Sequence, residues 1–275
     1  ALLAERGWDL VDAGKLDDAD KVFADLLAEF PNGSYAADAR FNLAESANAR
    51  KDFAEVEKLL SPLVDGEGPD APKLPERLAA DVLYRLGRTR VERGEWPPAA
   101  ATLDRLIAEA PASPRIREAR FLRAEAALRQ DQFEAAEKTL ADLIAAPAAP
   151  DDPPDLVKLA KERRIQCLLG LKRWQSALDE ADALKGAITE PAARDPVEFA
   201  RGRALLGLGR PEDARSAFQT VVDSRATGDL AAQAQLMIGE TFFHEEKFLQ
   251  AIREYLKVDI NYDVPRRRAA ALLEA

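Results

Sequence analysis

A chain of 275 residues is long enough to bury a large apolar core in one or two domains. Hydrophobic residues make up 47% and charged residues 32%, with Gly and Pro modest, a composition that belongs to a folded chain and excludes general disorder. The formal net charge of −10 argues against general affinity for DNA, RNA or anionic lipid, because a phosphate-tracking surface needs a basic excess.

The single cysteine, Cys167, excludes an internal disulfide, and His244 is the only histidine, so a zinc site of several Cys or His ligands within one chain is excluded too. No apolar run approaches the ~18 residues of a membrane span, so no membrane insertion by this segment is expected. The N-terminus, ALLAERGWDL, lacks an initiator Met, and the chain is read as a fragment of a longer protein.

Internal repetition dominates the pattern. Shifted by 80 residues, DARFNLAE (38–45) falls on EARFLRAE (118–125), Gly7 on Gly87, Gly14 on Gly94 and Pro31 on Pro111. A shorter unit lies inside this block, with a small residue at Ala19, Val56, Ala99, Ala136, Ala177, Ala214 and Ala251, spaced by 37, 43, 37, 41, 37 and 37. Each unit carries two apolar stripes at three- and four-residue steps, as two amphipathic helices joined by a turn require.

In chain order, the first repeat (near 1–33) reads LDDADKVF in its second helix, with Asp17 and Asp18 where a helix start favours negative charge and Pro31, like Pro111 and Pro191 after later second helices, as the stop. The second (34–70) pairs DARFNLAE with FAEVEKLL, and the third (76–113) joins Leu86-Gly87 and Gly94 to WPPAAATL and Pro111. The fourth (114–150) holds FEAAEKTL, the fifth (155–190) RRIQCLLG and WQSALDEA, and the sixth (195–228) GLGRPEDA, whose glycines suit a turn. The seventh (229–262) reads GETFFHEEKFLQAIREY, with Glu245-Glu246 expected at the start of its second helix; 264–275 begins a further repeat with Arg266, Arg267 and Arg268. The two longer spacings hold DGEGPDAPKLP (65–75) and APAAPDDPPD (146–155), read as lengthened loops.

These features resemble the tetratricopeptide repeat (TPR): QLMIGETFFHEEKFLQAIREYLKV places Ile238-Gly239, Phe242, Ala251 and Tyr255 where that family has its marker residues. The resemblance covers nearly the whole chain. It departs where Val56 replaces the small residue, where Ala181 replaces the bulky one, and in a unit that is usually 37 instead of ~34 residues; looser or tilted packing is expected in the second and fifth units. SYAADARFNLAES is also similar to repeat domains of bacterial cell-envelope proteins, of the Tol-Pal-associated and outer-membrane assembly types, which favours the periplasm or envelope over the cytoplasm.

The resemblance implies an all-α fold, a right-handed α-solenoid of about seven helix-turn-helix repeats in a single domain, with first helices lining a concave groove. By the same analogy the groove residues are Trp8, Phe41, Glu45, Tyr84, Arg85, Arg88, Phe121, Glu125, Phe199, Arg203, Leu236, Glu240 and Phe243. Aromatic rings with alternating charge suit a peptide or protein partner, although Phe41, Tyr84, Phe121 and Phe199 in such positions also serve as packing between repeats. The family's clamp for a partner's C-terminal carboxylate is not expected, since the corresponding places hold Ala4 with Trp8, Phe41 with Glu45 and Tyr84 with Arg88.

Other chemistry finds little support. Asp65, Glu67 and Asp70 lack calcium-loop spacing, GLGRPEDA lacks phosphate-loop spacing, and Cys167 sits on an apolar helix segment. His244 falls in one column with Asp12, Ala49, Glu92, Arg129, Gly170 and Gly207, a mixture with no common chemical duty, and is read as a turn residue. The resulting expectation is a non-catalytic protein-interaction scaffold with no cofactor and no metal. The alternative is a recruiting region of a larger enzyme or cell-envelope machine.

Overall fold

The computed structural model describes residues 1–66, 74–224 and 228–262, the side chains of Pro191 and Ala192 excepted. Among these residues are fourteen α-helices, a single 3-10 turn at Pro191–Arg194 and no strand, an all-α fold of the helical-repeat solenoid class. The helices are α1 Leu2–Asp12, α2 Leu16–Glu29, α3 Ala36–Ala49, α4 Phe53–Val64, α5 Glu76–Glu92, α6 Trp96–Glu109, α7 Ile116–Leu128, α8 Phe133–Ala145, α9 Leu156–Gly170, α10 Trp174–Ala187, α11 Asp195–Gly207, α12 Pro211–Asp223, α13 Asp229–His244 and α14 Phe248–Asn261. The expected further repeat at 264–275, its three arginines, and Glu67 and Asp70 lie outside the described residues.

The chain forms two compact units, Ala1–Gln132 with Ala146–Pro154, and Phe133–Ala145 with Asp155–Ala275. In the first, α2 buries Phe23 and Leu26 against Ala4 of α1 and Ala39 of α3, and α4 buries Val56, Leu60 and Leu63 with Ala44, Val82 and Leu86. In the second, Ile165, Leu169, Ala177, Leu184, Leu205, Phe218 and Ile238 share one continuous cluster across α9 to α13, and Tyr255 of α14 packs with Ala232. Burial of a large apolar side chain of this kind contributes about 1.5–3 kcal/mol.

The turn between first and second helices is built seven times in the same way. The residue five before each small-column position has a left-handed backbone: Gly14, Lys51, Gly94, Asp131, Lys172, Gly209 and Glu246, with φ between 56° and 73°. Its N–H donates to the carbonyl three residues back, and the next N–H to the carbonyl five back, as in Gly94 to Val91 and Glu95 to Arg90, both satisfying carbonyls left open at the helix end. His244 and its column therefore close the first helix or cap it, and the turn itself lies two residues further on. The same geometry corrects the placement of Glu245 and Glu246: Glu246 is the left-handed residue, α14 begins only at Phe248, and Glu245 caps α13.

A second recurrent device explains why first helices carry so little bulk. A Cβ on Gly7 would sit 2.5 Å from Phe23 Cε1, one on Gly87 2.7 Å from Leu103 Cδ2, and one on Gly202 2.5 Å from Phe218 Cε1; Gly239 meets Tyr255 alike. In each case the missing side chain is the space that a ring or leucine sixteen residues later fills. In the fifth repeat the sizes are exchanged, with Ile165 in the first-helix column and Ala181 in the second, both buried in one cluster. The departure expected to loosen that repeat is thus an inversion of which helix carries the bulk.

The loop after α8 is pinned to the first unit. Asp152 accepts a bond from the Ala149 N–H at 2.9 Å and pairs with Arg117 Nε at 2.6 Å, both side chains being 9% exposed. Pro31 and Pro111 follow the C-caps of α2 and α6 as expected, whereas Pro191 opens the 3-10 turn.

Candidate functional site

First helices contact one another directly in both units, α5 with α7 in the first, and α9 with α11 and α11 with α13 in the second. The candidate groove residues lie on these helices and on α1 and α3.

In the first unit their charges are paired, across helices for Glu45, Arg85 and Arg88 and within one helix end for Glu125. Arg85 of α5 holds Glu45 of α3 in a two-pronged contact, Nε to Oε1 at 2.6 Å and Nη2 to Oε2 at 2.8 Å. Arg77 grips the buried Asp38 of α3 in the same way, at 2.6 and 2.5 Å. Arg88 donates to the Tyr84 hydroxyl at 3.1 Å and to Glu118 of α7 at 3.2 Å, and Glu125 pairs with Arg129 at 2.8 Å. A forked guanidinium–carboxylate contact fixes both partners in one geometry, so the face is ordered before any partner arrives.

The aromatic candidates divide. Tyr84 is only 5% exposed, packed with Leu83, Leu103 and Leu106 beneath the Arg115 guanidinium, which lies 5.4 Å from its ring. Burial first and the Glu118 carboxylate second push its phenol up to about 12. Trp8 stands edge-on to Tyr35 at 5.6 Å, Phe41 packs half-buried on the Val56–Leu60 cluster, and Phe121 is half-buried. In the second unit Phe199 packs 5.6 Å from Phe218, Leu236 lies against Tyr255, and Arg203 is exposed without an ion pair among the described residues. Phe243 is 45% exposed and stacks edge-on with Phe248, and Glu240 approaches His244 at 3.8 Å.

Sequence reasoning did not foresee what the His244 column does. A Cβ on Gly170 would meet Phe133 at 2.7 Å, Gly207 meets Trp174 likewise, and Arg129 lies 5.8 Å over Trp96. The column is where a first helix receives the aromatic that opens the preceding second helix; the alternation of glycine with aromatics one repeat earlier is the signal that identifies it. His244 itself is largely exposed, and among the described residues no group of three or more His, Cys, Asp or Glu gathers as metal ligands would. Cys167 is fully buried. Asp65 pairs with Arg90, which also binds Glu57 at 2.8 Å and Thr102 at 2.6 Å. No helix among the described residues is long and apolar enough to cross a membrane.

Comparison with known proteins places this geometry. A sequence model of the tetratricopeptide repeat matches residues 5–72, 84–153 and 199–263, well over half of the chain. The chain belongs to the tetratricopeptide repeat family. The stretch between the second and third TPR matches contains α9 and α10, the pair in which Ile165 and Ala181 exchange sizes. Among solved structures, a TPR protein from Parabacteroides merdae ATCC 43184 aligns with a TM-score of 0.60 at 14% identity, over 99% of this chain and 97% of that one. YrrB, described as a TPR protein with an unusual peptide-binding site, aligns at 0.55 and 13% identity over 78% and 97% of the two chains. A Rap protein complexed with competence and sporulation factor aligns at 0.53 and 13% over 94% and 74%. At such identity these likenesses establish the fold alone. A comparison with curated proteins found no significant relative.

Proposed function

We propose that this TPR chain is a non-catalytic scaffold that binds a protein or peptide partner through the face of its first helices. The observation that supports this reading is the pairing of charges between successive first helices, Glu45 with Arg85 and Arg88 with Glu118, which holds polar groups and neighbouring rings in place without a partner. A face ordered in advance loses less side-chain entropy on binding, and its forked contacts supply register while exposed rings supply contact area. YrrB and the Rap complex, by their descriptions, show peptide or factor binding on similar folds; which partner this chain takes does not transfer from them.

The division into seven repeats, near 1–33, 34–70, 76–113, 114–150, 155–190, 195–228 and 229–262, belongs to the same proposal. So does an envelope location, which rests on the likeness of SYAADARFNLAES to envelope repeat proteins and is checked by fractionating cells that express the intact protein.

The test is partner capture by the intact protein and by Phe121→Ala and Arg203→Ala. Arg203 is exposed and unpaired among the described residues, so its loss leaves the fold intact, whereas Tyr84→Ala would open the core. A loss of about tenfold or more in affinity for either variant is expected of an anchor residue. Undiminished capture by both sinks the groove reading.

A further inference from the structure

A cavity of about 580 Å³ in the first unit is lined by Asn48, Lys51, Phe53, Arg85, Arg88, Thr89 and Glu92, between the α3–α4 turn and the C-terminal half of α5. Two features separate it from the paired face around it. The Thr89 hydroxyl is buried, the residue being 1% exposed, and has no hydrogen-bond partner among the described residues. A buried polar group left without a partner is destabilising, so it marks a place where a donor or acceptor is still to come. Lys51, in turn, projects from the left-handed residue of its turn and has no ion pair among the described residues.

The charge balance indicates what would fit. Arg85 is matched by Glu45, and Glu118 is shared by Arg88 and Arg115, so that Arg88 also answers the charge of Glu92 in the lining. Among the described residues of the lining, Lys51 is the cation left to answer an incoming anion, which suits a single negative charge and disfavours a dianion such as phosphate. A carboxylate carries one charge and accepts several bonds, so it can take an ammonium, the Thr89 hydroxyl and the Asn48 amide together.

We propose that this cavity receives one carboxylate of a protein partner, an acidic side chain or a chain terminus, with Lys51 as its counter-ion and the Thr89 hydroxyl as its buried donor. The proposal rests on the scaffold reading and names the chemistry of one contact within it. The site differs from the clamp positions of the family, because its free cation comes from the turn of a repeat and not from a first helix.

The test uses isotope-labelled intact protein and NMR titration with N-acetyl-alanine, which carries a terminal carboxylate, and the α-amide of N-acetyl-glutamate, which carries a side-chain one. The amide of N-acetyl-glutamine and inorganic phosphate are the comparison probes. Saturable shifts of the Thr89 methyl and Lys51 amide are expected at millimolar concentration with at least one acid, and the tighter acid identifies the source. Lys51→Gly removes the ammonium while suiting the positive φ, and Thr89→Val removes the hydroxyl at equal shape, so both variants fold; each should weaken binding at least about fivefold. Equal response to the glutamine amide, tighter binding of phosphate, silence from both acids, or unchanged affinity in Lys51→Gly overturns the proposal. The readout needs no protein partner: silence beside normal partner capture sinks the cavity alone, and carboxylate binding without groove-dependent capture sinks the scaffold reading alone.

Discussion

Ile165 and Ala181, buried in one cluster of the second unit, carry in reverse the sizes of Gly202 and Phe218 in the next repeat. Close packing demands a constant filled volume between paired helices but leaves open which helix supplies it.

The exchange predicts strong coupling. Ile165→Gly alone should cost about 3–5 kcal/mol through the cavity it leaves, and Ala181→Phe alone about 1–3 kcal/mol through overpacking. The double variant restores the arrangement of Gly202 with Phe218, and its cost should fall below the sum by about 1 kcal/mol or more in urea denaturation. Additive costs would show that the two side chains do not share one space.

Two glycines at helix positions should respond oppositely to the same change. Gly202→Ala gains helix propensity but drives a methyl into the Phe218 ring, for a net loss of about 1–2 kcal/mol. Gly186→Ala, with nothing within 4 Å of its Cβ, should stabilise by about 0.5–1 kcal/mol. Melting curves of the two variants decide the matter.

Left-handed turn residues that are not glycine store strain. Lys172, exposed at φ 56°, should become more favourable as Lys172→Gly, by about 0.5–1 kcal/mol. Gly94→Ala, at φ 73°, should lose about 1 kcal/mol. If both changes shift stability in the same direction, the backbone argument fails.

Tyr84 supplies a pH dependence. Its phenol is raised from 10.0 to about 12, so the folded chain keeps the proton when the unfolded chain has lost it. The contribution is therefore whole below pH 10 and is lost as pH rises from about 10 towards 12. Tyr84→Phe should lose less stability than the wild type across that window, by up to about 2–3 kcal/mol. Equal slopes for the two proteins would contradict the assignment.

The fold was legible because stacking repeats one requirement: where second helices approach their neighbours a small side chain is favoured, and Ala19, Ala99, Ala136, Ala177, Ala214 and Ala251 record it, with Val56 the exception and a spacing of 37 broken only by the two longer loops. The turn was less legible. Gly14, Gly94 and Gly209 announce a left-handed residue, but Lys51, Asp131, Lys172 and Glu246 in the same place do not, so the eye stops two residues early at His244. Of the candidate face, the helix positions could be read from the period, yet nothing in the pattern distinguishes Tyr84, which the core takes, from Phe243, which solvent still reaches.

By itself, the sequence determined the all-α class, the period, the two helices of each unit and the family, because periodic burial writes itself into spacing. Tertiary structure alone decided the rest: which helix fills the space at Ile165 and Ala181, that Arg85 answers Glu45 forty residues away, and that Lys51 and Thr89 meet at one cavity. Those relations depend on how helices distant in the chain are laid side by side, and a charge or a small residue on a helix face does not name the neighbour it will meet.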